Sequence, residues 1–310
     1  MKSAVLALCT SVALVGCTSP STTTTDSAPT PQGPNIVVTY SVLGSIVSEL
    51  VGDEAEVSVI IPDGQDPHDF EPSAKDIEKL NEADLVVANG LGFEEGLLDA
   101  LDSAHDRGVE RFLVSDFVTT LDGEGHAHAH HSTDTSGDHA DDGAAIDPHV
   151  WLSPFAMSEM VDDLGAAITT ATGLDVTGRT EALVASLLSL DERVARQIET
   201  LASCTLVTGH DELGYFADRY GCMVVGAVIP SFSTTAEASA GELADLKQLI
   251  ERYDVQTVFT GLGTSSAVTE RLAAELDVRA VELTTHFMDG AQTYDAFVQR
   301  LVDQIVTGLS

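Results

Sequence analysis

Ten histidines are spread over 310 residues, and they form two groups of different character. Five of them, His126, His128, His130, His131 and His139, crowd into "GHAHAHHSTDTSGDHADDG". Four others, His68, His149, His210 and His286, stand apart, each where an apolar run gives way to a polar loop or helix start. Neutral imidazole is the commonest side-chain ligand for transition metals, so both groups point to metal chemistry. Crowded histidines in polar sequence favour weak capture. Isolated ones in rigid frames favour a defined site. His105, in "LDSAHDRG", reads as a surface residue near a helix end and has no assigned role.

Two of the isolated histidines share a frame. His68 sits in "DPHDFEPS" and His149 in "DPHVWLSP", both Asp-Pro-His with a second proline four or five residues later. The first proline fixes φ and narrows the loop, which lowers the entropy lost when the ring binds a ligand. Asp66 and Asp147 are placed to accept the second ring N–H, which would leave the other nitrogen bare for a metal. His210 follows the apolar "TLVTG" and opens "DELGYF", and His286 follows "VRAVELTT". Three neutral imidazoles suit Zn²⁺, and also Cu²⁺ or Ni²⁺, whereas a carboxylate-richer set suits Mn²⁺. A thiolate site is excluded, because Cys204 and Cys222 fall at the amino-terminal ends of their strands, away from the histidines.

Three histidines plus water is also how catalytic zinc is built. Glu212, two residues after His210, is a conceivable general base, but at a helix start the two side chains point in different directions. There is no HExxH and no nucleophile elbow. A zinc hydrolase is therefore the weaker reading, and the chain is expected not to be an enzyme.

The elements that must position these residues alternate. Apolar strand runs such as "NIVVTY", "AEVSVII", "DLVVANG", "CTLVTGH", "CMVVGAVIP" and "VQTVFTG" are separated by amphipathic segments at βαβ spacing, which predicts parallel sheets. The expected class is α/β, with two (βα)-repeat lobes spanning 35–176 and 203–310. Residues 177–202 hold no proline and no glycine after Gly178, which predicts one rigid linker helix between the lobes, about 37 Å long. In such folds ligands bind at the carboxyl ends of strands, so the cleft between the lobes is the expected site.

The amino terminus carries an address. "MKSAVLALCTSVALVGC" has one basic residue, an apolar run and small residues, as a signal peptide over 1–16 would. "LVGC" resembles a bacterial lipobox, which implies a lipid on Cys17. Residues 17–34 are rich in Ser, Thr and Pro and are expected to form a flexible tether. Export tolerates disulfides, so Cys204 and Cys222, 18 positions apart, are a candidate pair, with two free thiols as the alternative. The net charge of −36 opposes binding to nucleic acid. The loop over 122–146 lacks apolar periodicity and is expected to stay disordered.

On "DPHDFEPSAKDI", "DPHVWLSP", "GHDELGYFADRYG" and the long helix between the last two, the chain resembles the zinc/manganese solute-binding subunits of bacterial ABC importers over about residues 35–308. The His- and acid-rich insertion before "DPHVW" resembles that of the zinc-specific branch. The resemblance implies that His68, His149 and His210 bind the metal. A histidine rather than a glutamate at the third position favours zinc. Where manganese members carry an aspartate this chain has Thr284 and Thr285, so the fourth ligand is His286, Asp289 or water. "FTGLG" places Gly261 where the family has an acid, and nothing is carried over there.

The function so implied is extracytoplasmic capture of Zn²⁺ as cargo, by a monomer lipid-anchored on the outer face of the cytoplasmic membrane. Its partners would be the permease and ATPase subunits. Coordination would bridge the lobes, with modest hinge movement, and histidine protonation would weaken binding below about pH 6. The crowded histidines would serve as a low-affinity collector or a sensor of excess metal. A manganese or other divalent-metal carrier, and less so a surface adhesin, are the alternatives.

Overall fold

The computed structural model describes residues 33–121 and 146–310. The signal segment, Cys17, the tether up to residue 32, and His126, His128, His130, His131 and His139 lie outside the described residues.

Strand β1 (Asn35–Tyr40) is a run of Ile, Val and Thr buried along nearly its whole length. Strands apolar on both faces belong at the centre of a parallel sheet. β1 pairs on one side with β2 (Glu56–Ile61) and on the other with β3 (Leu85–Ala88), and β3 pairs with β4 (Glu110–Leu113), all parallel. The crossovers are helices: α1 (Ser41–Val51), α2 (Ala74–Asn81) and α3 (Leu98–Asp106). Helix α2 starts where Ser73 and Asp76 cap each other reciprocally. Helix α4 (Pro154–Thr172) starts on Ser153, with proline at its first position, and stops at Gly173 with φ 77°.

The second lobe repeats the scheme. β5 (Thr205–His210) pairs in parallel with β6 (Met223–Ile229), and β7 (Thr257–Thr260) with β8 (Arg279–Glu282). These are two hydrogen-bonded pairs, and β5 lies beside β7, so the spatial order β6-β5-β7-β8 parallels β2-β1-β3-β4 of the first lobe. Helices α6 (Gly214–Tyr220), α7 (Ala240–Arg252), α8 (Ser266–Leu276) and α9 (Tyr294–Leu309) connect and close it. Cys204 and Cys222, just before β5 and β6, form a disulfide with Cα atoms 4.7 Å apart.

The linker helix α5 runs over Thr177–Ile198. It is shorter than the expected 177–202, because residues 199–202 turn toward β5. At 22 residues it spans about 33 Å. Leu183, Leu187, Leu190, Val194 and Ile198 form its buried stripe at helical spacing. Its ends are tied to different lobes. Arg179 Nη1 donates to the Leu50 carbonyl at the end of α1 (2.9 Å). Buried Asp191 accepts from Arg219 Nε (2.8 Å) and the Tyr220 hydroxyl (3.0 Å) of α6. One apolar core continues from β1 and α1 through α4 and α5 to Phe297, Leu301 and Ile305 of α9. A smaller one, around Val207, Val258 and Ile250, serves the second lobe alone. No helix among the described residues is long and apolar enough to cross a membrane.

Candidate metal centre

His68 and His149 occupy loops closed by the same local bond. The His68 amide donates to Asp66 Oδ1 (3.1 Å), and the His149 amide to Asp147 Oδ1 (2.9 Å). An aspartate accepting from the amide two residues on makes a turn with its side chain, and the intervening proline stiffens it. The frames then differ. Asp147 Oδ1 also accepts from His149 Nδ1 (2.8 Å), as the sequence suggested, which leaves Nε2 of that ring facing inward. Asp66 does not bond the His68 ring. Its Oδ2 accepts from the Thr234 hydroxyl of the second lobe (2.7 Å), and His68 Nδ1 faces the Glu95 carboxylate at 3.6 Å instead. Gly263 lets the loops meet here: at φ 78° it has no Cβ, and one would lie 2.3 Å from Asp66 Oδ2.

His210 is the last residue of β5 rather than the first of a helix, since α6 begins only at Gly214. His286 lies in the loop after β8. That loop is fixed by Trp151, whose indole N–H donates to the Thr285 carbonyl (2.6 Å) while its own carbonyl accepts from the Tyr294 hydroxyl (2.7 Å).

The four rings converge. His68, His149, His210 and His286 are all buried, and one nitrogen of each lies within 4.8 Å of the other three. His149 Nε2 and His210 Nε2 are 3.2 Å apart. Phe93 packs edge-on to His68 with centroids 5.0 Å apart and stacks on His286 at 6.0 Å, forming a dry wall. Both ring nitrogens of His68 and Nε2 of His286 have no hydrogen-bond partner, and His210 Nε2 meets only the Nε2 of His149. Buried polar atoms are rarely left so, and a cluster of orphaned imidazole nitrogens around one point is what a cation would satisfy. Asp289 takes no part: its carboxylate turns outward to Arg300 Nη1 (3.0 Å).

Burial, and then the charge of His149, push His68 down from 6.5 to about 3. Burial holds His210 and His286 well below the usual histidine range, with the neighbouring histidines adding to it. Burial therefore favours the neutral form of these rings, the form that coordinates a metal.

Glu212 departs from the expectation, since a helix start at His210 would turn the two side chains apart. In the folded chain His210 ends a strand, and Glu212 lies buried beside the site. Its Oε1 is 3.8 Å from His210 Nδ1 and its Oε2 is 3.6 Å from His286 Nδ1. Burial raises its carboxyl to about 7. The available signal was an acid two residues from a ligand inside an otherwise apolar stretch, "GHDELGYF".

Two parallel-sheet lobes on a linker helix thus hold a cluster of four buried histidines. The profile of the ZnuA family, described as zinc-uptake complex component A, periplasmic, matches residues 36–308, and the chain belongs to that family. It is 29% identical over 259 residues to the zinc-binding protein AdcA of Streptococcus pyogenes, covering 80% of this chain and 50% of that one. It thus spans about half the length of that relative. It is 28% identical over 313 residues to the manganese-binding lipoprotein MntA of Halalkalibacterium halodurans, covering 95% of this chain and 94% of MntA. Among solved structures, the periplasmic zinc-binding protein TroA of Treponema pallidum superposes with a TM-score of 0.75 at 25% identity, over 90% of this chain and 99% of TroA.

Proposed function

We propose that this chain captures Zn²⁺ as cargo between its lobes and hands it to the permease of an ABC importer driven by its ATPase subunits. The observation that carries the reading is the buried cluster of His68, His149, His210 and His286. All four are metal ligands, with His286 taking the fourth position rather than Asp289 or water. Four imidazoles and no carboxylate ligand suit zinc better than manganese, so the zinc-binding relatives are the better guide than MntA. The lipid on Cys17 keeps the body on the outer face of the membrane as a monomer, where released cargo meets the permease directly. His126, His128, His130, His131 and His139 supply weak additional zinc binding. Binding without turnover follows from a site whose ligands fill the coordination shell and leave no open position for a substrate.

The test is metal analysis and competition titration of the chain lacking residues 1–17. One tight Zn²⁺ per chain is expected, held more firmly than Mn²⁺. His68→Ala, His149→Ala and His210→Ala are each expected to weaken zinc binding by more than the roughly 10–100-fold typical of a lost supporting residue. Unchanged affinity in His286→Ala would remove that residue from the site, and tighter Mn²⁺ than Zn²⁺ binding would overturn the cargo assignment.

A further inference from the structure

Glu212 is an acid buried to 1% exposure among imidazoles, with no lysine or arginine beside it among the described residues. Its two oxygens face the outer edges of two rings, Oε1 toward His210 Nδ1 at 3.8 Å and Oε2 toward His286 Nδ1 at 3.6 Å. Between Glu212 and His286 stands Thr285. Its Oγ1 is 2.9 Å from His286 Nδ1, and its hydroxyl draws the Glu212 carboxyl down against the effect of burial. A hydroxyl has one hydrogen to give, and a carboxylate can only accept. With its hydrogen turned toward the Glu212 carboxylate, Thr285 Oγ1 would accept from His286 Nδ1–H. That places the single proton of neutral His286 on Nδ1 and leaves Nε2 bare. His286 Nε2 is indeed without a hydrogen-bond partner. On the other side, Oε1 is the polar atom facing His210 Nδ1, while His210 Nε2 points at His149.

We propose that Glu212 is a positioning residue of the metal centre: its carboxylate faces Nδ1 of both His286 and His210 and favours the tautomer that carries the proton on that edge, with the Thr285 hydroxyl accepting from His286 Nδ1. Both rings then offer Nε2 to one cation. The inference rests on the four-histidine reading of the site. Glu212 also supplies a negative charge where four neutral ligands would leave a divalent ion uncompensated in a dry pocket. Gly261 borders this pair: a Cβ there would lie 3.7 Å, an ordinary contact, from both Glu212 Oε1 and Thr285 Oγ1.

The test compares the chain lacking residues 1–17 with Glu212→Met, which keeps length and loses the acceptor, Thr285→Val, which removes only the relay, and the conservative Glu212→Gln. Histidine tautomers are read from long-range ¹H–¹⁵N spectra of the metal-free protein, above the Glu212 pKa of about 7. The native chain is expected to show His286 and His210 protonated on Nδ1. Glu212→Met and Thr285→Val should let His286 spread over both tautomers and weaken zinc by about 10–100-fold at unchanged one-to-one stoichiometry. Glu212→Gln, which keeps an oxygen acceptor, should recover part of the loss. Native tautomer and native affinity in Glu212→Met overturn the proposal, and Thr285→Val decides the same question if Glu212→Met does not fold. A native chain that binds no zinc refutes the cargo assignment instead, and the metal-free spectra still decide the role of Glu212.

Discussion

At the scale of residues, His68 and His149 share one sequence frame and hold their rings by different means. Asp147 bonds the His149 ring directly, whereas Asp66 fixes the loop of His68 against Thr234. Asp147→Ala is therefore expected to lower zinc affinity by about 10–100-fold through loss of ring orientation. Asp66→Ala should act through the contact between loops and mainly speed zinc release, which stopped-flow exchange with a chelator would separate. Titration gives a second prediction. An unfolded histidine gains its proton near 6.5, while folded His68 stays neutral down to about 3. Between those values the unfolded chain binds more protons, so stability is lost as pH falls below about 6.5. His210 and His286 shift in the same direction and steepen the loss. Glu212 opposes it: raised from 4.5 to about 7, it holds a proton in the folded state between those values, and its contribution falls as pH rises. Three histidines outweigh one glutamate. Urea denaturation of the metal-free chain should thus show lower stability at pH 5 than at pH 7, and equal stability would contradict the burial of the rings.

At the scale of elements, the histidines are delivered by strand ends and the loops that follow them, and the rest of each lobe holds those ends in register. His210 ends β5, whose other end is tied to β6 by Cys204–Cys222. A bridge closing a loop of 18 residues is worth about 2–4 kcal/mol. Reduction is expected to lower stability by that amount while leaving zinc affinity within a factor of about three, because the bridge lies at the end of the strands away from the site. A large loss of affinity on reduction would show that the strand register itself depends on the bridge. Helix α5 is tied to the first lobe by Arg179 and to the second by Asp191. With core side chains along its whole length it acts as a strut, and the lobes are expected to move little around it.

At the scale of the whole molecule, the proposed ligands come from both lobes, so bound zinc would cross-link them. A ligand that binds only the folded state adds RT ln(1 + [L]/Kd), about 4 kcal/mol at a thousandfold excess over Kd. Calorimetric melting with and without zinc should show that gain, and His210→Ala should abolish most of it. Deleting residues 125–144 should remove weak zinc equivalents and leave the tight one. An unchanged total stoichiometry would end the collector assignment. The charge of −36 should also steer cations inward, so zinc association should slow as salt rises.

The sequence by itself determined the alternation of strands and helices, the two Asp-Pro-His frames, the isolated histidines and the family resemblance. These are local patterns or fixed spacings, and local geometry follows from them directly. It placed the end of α5 four residues too far and assigned Asp66 to the wrong partner, because a helix end and a hydrogen bond both depend on what packs nearby. Only the tertiary structure decided that four rings meet at one point, that Asp289 turns away to Arg300, and that Glu212 lies between two of the rings. The physical reason is that His68 and His286 are more than 200 positions apart, and no local preference specifies which nitrogen faces which. Burial does so, by removing the water that would otherwise satisfy every one of them.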